Sequence, residues 1–364
     1  MTNTDRHTAC QGVVPPFLLQ RIADQPSRPS ARLSTAADGA RRTLQIDSEM
    51  RSRRDSSSPR RTAIVPGAGT LTRTISDAEG KQELPGKTVR SEGDPDTGDL
   101  ATDESYVGLG DTFTFYKDVY DWSSLDNKGL PLDATVHYGQ DYDNAFWDGS
   151  RMVFGDGDGE VFTRFTVSVG VIAHELTHGF TQFTSRLEYV GQSGALNESM
   201  SDVFGAMVEQ YAKKQTAAEA SWLVGEGLFL PAVQGRALRS MLEPGTAYDD
   251  DVLGKDPQPA DMAGYVETTE DNGGVHINSG IPNRVFAVAA QALGGSSWER
   301  AGRVWFDTLT SGTLSPTVDF AGFSSATLAT ASSLFGTESD VHRAIASAWS
   351  TVGVDPMDAA DRKT

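Results

Sequence analysis

The 364-residue chain is 38% hydrophobic and 9% aromatic, with a formal net charge of −19. That length and apolar content are enough for two or three packed domains and exclude a wholly disordered chain. The acidic balance argues against nucleic acid as the main partner, no apolar run is long enough to span a membrane, and a lone cysteine, Cys10, rules out an intramolecular disulfide.

Met1–Gln11 is polar and lacks the charged-then-apolar layout of a secretory signal. Residues 1–61 hold eleven Arg, no Lys and six acidic residues, a net +5 against −24 for the remainder. A basic arm drawn to an acidic body and an Arg-rich tract kept solvated are both consistent with this. Within the arm, Val13–Ala23 is a compact apolar patch. Pro15 and Pro16 favour an extended approach to a short helix. From there to about Ser58, Ser, Pro, Arg and Asp read as a linker. Between about Leu71 and Gly170 the signals are short β-prone runs and turns: Thr112–Tyr116, Thr135–Tyr138, Ala145–Trp147 and Arg151–Phe154. From Val167 the pattern becomes helical, with an apolar face along Asn197–Lys213 and later helices over 278–292, 301–308, 320–334 and 339–352. The expected fold class is α+β: a β-rich half, then a mainly α-helical half, with the chemistry at their junction.

The strongest motif is His174-Glu175-Leu176-Thr177-His178. On a helix, i and i+4 share a face, so both imidazoles can reach one metal ion, and Glu175 beside them is placed to act as a base. A histidine six residues beyond His178 would signal another class of metalloprotease, but that position is Thr184. Instead Glu198 and Asp202 stand i, i+4 in Gly194–Asp202. Glu198 can complete a His₂Glu zinc site, and Asp202 can fix the tautomer of His174. In Asp271–Gly280, Gly273 and Gly274 make a turn before His276, which could stabilise an oxyanion while Asp271 holds its ring.

HELTH, GALNESMSD and DNGGVHINSG, in this order and spacing, resemble the thermolysin family of zinc metalloendopeptidases. Asn144–Trp147 followed by Met152–Gly157, Tyr189 nine residues before Glu198, and Ala237–Met241 extend the resemblance from about Leu71 to the C-terminus. The resemblance implies a thermolysin-like fold with residues 61–182 as the β-rich domain ending in the HExxH helix and 183–364 as the α-helical domain. It implies one catalytic Zn²⁺ on His174, His178 and Glu198, with Glu175 as general base and proton donor. Tyr189 and His276 would stabilise the oxyanion, and Asp271 would orient His276. Asn144 and Ala145 would hold the substrate as an added strand, and Arg239 would bind a substrate carbonyl. Phe162, Phe165, Val171, Val224 and Leu238 would form the specificity pocket. All five are apolar, so cleavage is expected on the N-terminal side of bulky apolar residues, with Phe165 favouring Leu over Phe.

Two departures qualify this. Of the family's paired calcium site, Glu209 and Glu226 remain, but Gly170, Ser221, Leu223 and Gly227 replace acids, so that site is expected to be mostly lost. No long pro-domain is visible; VVPPFLL resembles the short pro-segment of the protealysin-like branch. This implies an autoinhibitory segment, residues 1–60, removed somewhere within 50–75. A Cys10 thiolate on the open zinc position would enforce latency, and an ordinary apolar contact is its competing reading. Protein or peptide substrates and the chain's own pro-segment are the expected partners. The resemblance favours secretion; the missing signal leaves a cytoplasmic precursor or unconventional export open. A non-catalytic zinc-binding module, a structural zinc site and an aminopeptidase are the competing functions. The presence of Glu175 and His276 weighs against the first, three ligands instead of four against the second, and the lack of an extra acidic motif against the third.

Overall fold

The computed structural model describes residues 12–25, 31–54 and 69–356. Two helices, α1 (Pro16–Ala23) and α2 (Ala31–Arg54), precede a five-stranded sheet of order β2-β1-β3-β5-β4. Its strands are β1 (Arg73–Asp77), β2 (Lys87–Ser91), β3 (Leu132–Val136), β4 (Ala145–Trp147) and β5 (Met152–Phe154). The β1–β3 and β3–β5 pairs are parallel; β1–β2 and β4–β5 are antiparallel. The sheet therefore ends on β4 as an edge, beside the metal-motif helix α4 (Val169–Phe183). Helices α5 (Gly191–Lys213) to α10 (Asp340–Thr351) make up the second half. Among the described residues no helix is long and apolar enough to cross a membrane.

Two sequence expectations are corrected here. Thr112–Tyr116 is not a strand but lies inside the helix α3 (Leu100–Tyr120). Asp99 caps that helix by accepting from the Thr102 amide at 2.8 Å. Its buried residues Ser105, Leu109, Thr112, Phe113, Tyr116 and Tyr120 recur at helical spacing, and that tertiary burial overrides the local β-propensity of Thr and Phe. The stretch expected as a linker contains α2, which runs 24 residues. Its Ala36, Ala37, Ala40, Thr43 and Ile46 are buried against the catalytic body. By contrast, α1 begins at Pro16, where proline's fixed φ suits a first helical position.

Helices α4 and α5 pack against each other along their length. A Cβ at Gly205 would stand 2.6 Å from the Gly170 carbonyl oxygen, so the two backbones approach as only glycine allows. This close crossing brings the two i, i+4 pairs face to face.

Candidate active site and metal centre

His174 and His178 project from one face of α4, and Glu198 and Asp202 from the facing side of α5; all four are buried. His174 Nε2 and His178 Nε2 are 3.2 Å apart, and the Glu198 carboxylate oxygens lie 3.6 Å and 3.4 Å from them. Ligands about 2.0–2.1 Å from a tetrahedral ion stand roughly 3.3 Å from one another, so this donor set fits zinc. Each ring is fixed from behind. His174 Nδ1 is 2.8 Å from Asp202 Oδ1, and His178 Nδ1 is 2.9 Å from Asn197 Oδ1. Burial pushes His178 down to about 4, which keeps its imidazole neutral, the form that binds metal. Burial opposes ionisation of Glu198, yet His276, His178 and His174 together hold its carboxyl below the usual range.

Asp202 does more than the sequence reading assigned. Arg239, from the short strand Arg239–Ser240, donates to both its oxygens at 2.8 Å, and Asn283 Nδ2 donates at 2.7 Å. Despite burial, Arg239 and His174 drive the Asp202 carboxyl far below its ordinary value. Neither Asn197 nor Asn283 was singled out from sequence. Asn197 adjoins Glu198 in the quoted motif, but asparagine carries no charge to flag it.

Glu175 is buried, and its Oε2 accepts from the Trp147 amide of β4 at 3.0 Å. Burial and the neighbouring Glu198 push its carboxyl well above the usual range. Tyr189 Oη donates to Glu198 and lies 3.3 Å from His276 Nε2. His276 follows a left-handed turn at Asn272, Gly273 and Gly274, and its Nδ1 is 2.7 Å from Asp271 Oδ1. Burial alone would lower His276, but Glu198 and Asp271 reverse this and raise it.

Backbone from the N-terminal segment lies across this cluster. The Val13 amide donates to Ala145 O at 3.1 Å and also lies against Glu175. Arg239 Nη1 donates to Val13 O at 3.0 Å. The Val14 amide donates to Asn144 Oδ1 at 2.9 Å, and Asn144 Nδ2 donates back to Val14 O at 3.3 Å. Pro15 leads from there into α1, which Pro16 opens. Phe162, Phe165, Val171, Val224 and Leu238 are all buried and belong to one apolar cluster with Val13. Cys10 lies outside the described residues.

Residues 59–182 match the thermolysin metallopeptidase catalytic domain, and residues 185–354 match its alpha-helical domain. The chain belongs to the thermolysin metallopeptidase family. It is 51% identical to an extracellular metalloprotease of Pectobacterium carotovorum subsp. carotovorum over 94% of this chain and 96% of that protein. It is 46% identical to protease PrtS of Photorhabdus sp. (strain Az29) over 94% of this chain and 92% of that protein. Among solved structures it is similar to the precursor of protealysin, a metalloproteinase from Serratia proteamaculans. The TM-score there is 0.85 at 48% identity, covering 95% of this chain and all of that one. This thermolysin-family chain is thus a zinc metalloendopeptidase of α+β architecture.

Proposed function

We propose that the chain is a latent endopeptidase that cuts before bulky apolar residues once its N-terminal segment is removed. The observation that carries this reading is the set of four backbone bonds from Val13 and Val14 to Ala145, Arg239 and Asn144. One is a main-chain bond to β4, as for an added strand, and the other three come from the Asn144 and Arg239 side chains, so the segment is held as an extended substrate would be. The same cleft therefore binds substrate and is blocked by the segment. Pectobacterium's relative is named extracellular and the protealysin neighbour is a precursor, which supports a secreted enzyme made as a zymogen.

In the released enzyme, Ala145 and Asn144 hold the substrate backbone and Arg239 its carbonyl, while Phe162, Phe165, Val171, Val224 and Leu238 receive the apolar side chain. Zinc on His174, His178 and Glu198 would supply a Lewis acid for the scissile carbonyl and an acidified water. Glu175 takes the proton from the attacking water. The same carboxyl then returns that proton to the leaving amine. Tyr189 Oη and the Nε2–H of His276 donate to the developing oxyanion, and Asp271 orients His276 through its Nδ1. Three parts follow from this: a pro-segment and linker up to about residue 60, a β-rich domain to 182 and a helical domain beyond.

The test is a quenched peptide with a Gly-Leu bond, incubated with the full chain and with Glu175→Gln while chain mass is followed. The parent should shed its segment and then cut the peptide, with Glu175→Gln at least ~10³-fold slower in both. A parent that binds zinc but never cuts, even after trypsin removes the segment, would replace this reading with a zinc-binding module.

A further inference from the structure

Helix α2 meets the catalytic domain through Ala36, Ala37, Ala40, Thr43 and Ile46. Beneath it lie Asp143, on the β3–β4 connection, and Asp158, on the loop after β5; both are buried. Among the described residues, neither carboxylate oxygen of Asp143 has a side-chain hydrogen-bond partner, and Asp158 Oδ2 has none. The second Asp158 oxygen is committed to the amides of Glu160, Val161 and Phe162 at 2.7–3.0 Å. The helix backbone closes the space above: a Cβ on Gly39 would stand 3.1 Å from Asp143 Oδ2 and 3.3 Å from Asp158 Cβ. The Asp143 amide donates to Thr43 Oγ1 at 2.9 Å, so the carboxylate sits inside the contact.

Among the described residues no cationic side chain pairs with Asp143. On α2, Arg42 pairs with Asp141 at 2.6 Å, and Arg41 is shared between Asp38 and the Ala23 carbonyl. Asp47 accepts from Tyr142 Oη and Asn144 Nδ2. On the domain side, Glu160 accepts the Ala36 amide at 3.1 Å. An ionised carboxylate buried without a partner is costly enough that it takes a proton instead. Burial, then Asp158, push the Asp143 carboxyl well above its ordinary range, and the backbone N–H of Asp158 and the charge of Arg42 offset only part of this. A calcium ion in the proton's place would need six or more oxygens, and the Gly39 backbone occupies one side.

We propose that Asp143, with Asp158 beside it, is a proton-binding site closed by α2, so that the pro-segment is held more firmly in acid than at neutral pH. This rests on the latency proposed above. With α2 lifted, Asp143 meets water and ionises near pH 4, as an ordinary aspartate does. The docked state then carries one more proton than the released state. Release delivers that proton to solvent, and the release equilibrium rises by up to tenfold per pH unit above about pH 4 until the docked value is passed. The segment would thus hold in an acidic setting and loosen as the pH climbs.

The experiment is hydrogen exchange by mass spectrometry on the full zinc-loaded chain. A Glu175→Gln background prevents self-cleavage, and Asp143 is compared with Asp143→Asn from pH 5 to pH 8 after correction for intrinsic rates. Asparagine is neutral and nearly the same size, so it should dock without a proton. In the Asp143 chain, the opening constant of peptides from 13–25 and 35–50 should rise about tenfold per pH unit over part of that range. In Asp143→Asn it should stay nearly flat, leaving those peptides at least ~10-fold better protected at pH 8. Equal slopes in the two chains would overturn the proton site and leave latency standing. Peptides that exchange like unstructured chain in both, at every pH, would overturn docking, and latency with it. Should Asp143→Asn lose protection in α5, the aspartate ¹³C-carboxyl spectrum of the Asp143 chain decides instead. The Asp143 carboxyl, assigned through its own backbone resonances, supports the site if it is still protonated at pH 6 and overturns it if ionised there.

Discussion

Asp202 joins two tasks in one carboxylate. Its Oδ1 faces His174 and its two oxygens take both arms of Arg239, whose remaining nitrogen reaches the Val13 carbonyl. Asp202→Asn keeps the shape but replaces an ionised acceptor with an amide that must turn a donor toward Arg239 or His174. Zinc affinity is expected to fall about 10–100-fold, read by competition with a chromophoric chelator. Peptide hydrolysis should drop with zinc saturating as well, because Arg239 loses its anchor. Unchanged zinc affinity would confine Asp202 to substrate binding. Much of this site was legible from i, i+4 spacing alone, since a helix translates such spacing directly into a shared face. Asn197, Asn283 and the Arg239–Asp202 pair were not, because neutral residues and partners 37 positions apart leave no local pattern.

Among the elements, the N-terminal segment depends on Gly12 for its course. A Cβ there would stand 2.4 Å from both the Ala145 carbonyl oxygen and Asn144 Oδ1, which are backbone and a committed side chain. Gly12→Ala should therefore keep Val13 and Val14 from seating. The unprocessed chain should show peptidase activity at least ~10-fold above the parent's before any loss of mass, since Ala would clash directly with the edge strand. Activity equal to the parent's at full mass would show that latency does not depend on this seating. At this scale the sequence was less informative. The mean composition of α2 is polar and Arg-rich, and its helix face consists of small alanines that only a partner surface makes meaningful. Thr112–Tyr116 misled for a related reason: β-branched and aromatic residues fit any well-packed face, and α3 supplies one.

Across the whole molecule, packing and local ion pairs contribute stability. Glu209 pairs with Lys213, Gly170 would place a Cβ 2.6 Å from Glu209 Oε2, and Glu226 accepts from Ser221 Oγ at 3.1 Å. The expectation from sequence that the calcium pair is mostly lost is checked by melting with added calcium. A site half-saturated at 0.1 mM would add about 2.7 kcal/mol in 10 mM calcium, several degrees of melting temperature. For the Glu175→Gln chain the expected shift is under ~1 °C. His137 provides a tie of a different kind. It sits just past β3 with φ +53°, its Nδ1 2.9 Å from Asp156 Oδ2 and its Nε2 3.2 Å from Asp99 Oδ2, the cap of α3. Arg164 and Glu104 pair with each other alongside. The Asp156 bond, then Asp99, raise His137 to about 9 despite partial burial. Because the folded value exceeds the unfolded one of about 6.5, the gain is complete below that pH and is lost as pH climbs through about 9. Asparagine tolerates the positive φ, so His137→Asn removes the charge with little strain. At pH 6 the variant should melt about 1–2 °C below its parent, in line with ~1 kcal/mol for a solvent-flanked pair. By about pH 10 that gap should have closed. A gap that stays constant from pH 6 to pH 10 would mean that His137 contributes shape and not charge.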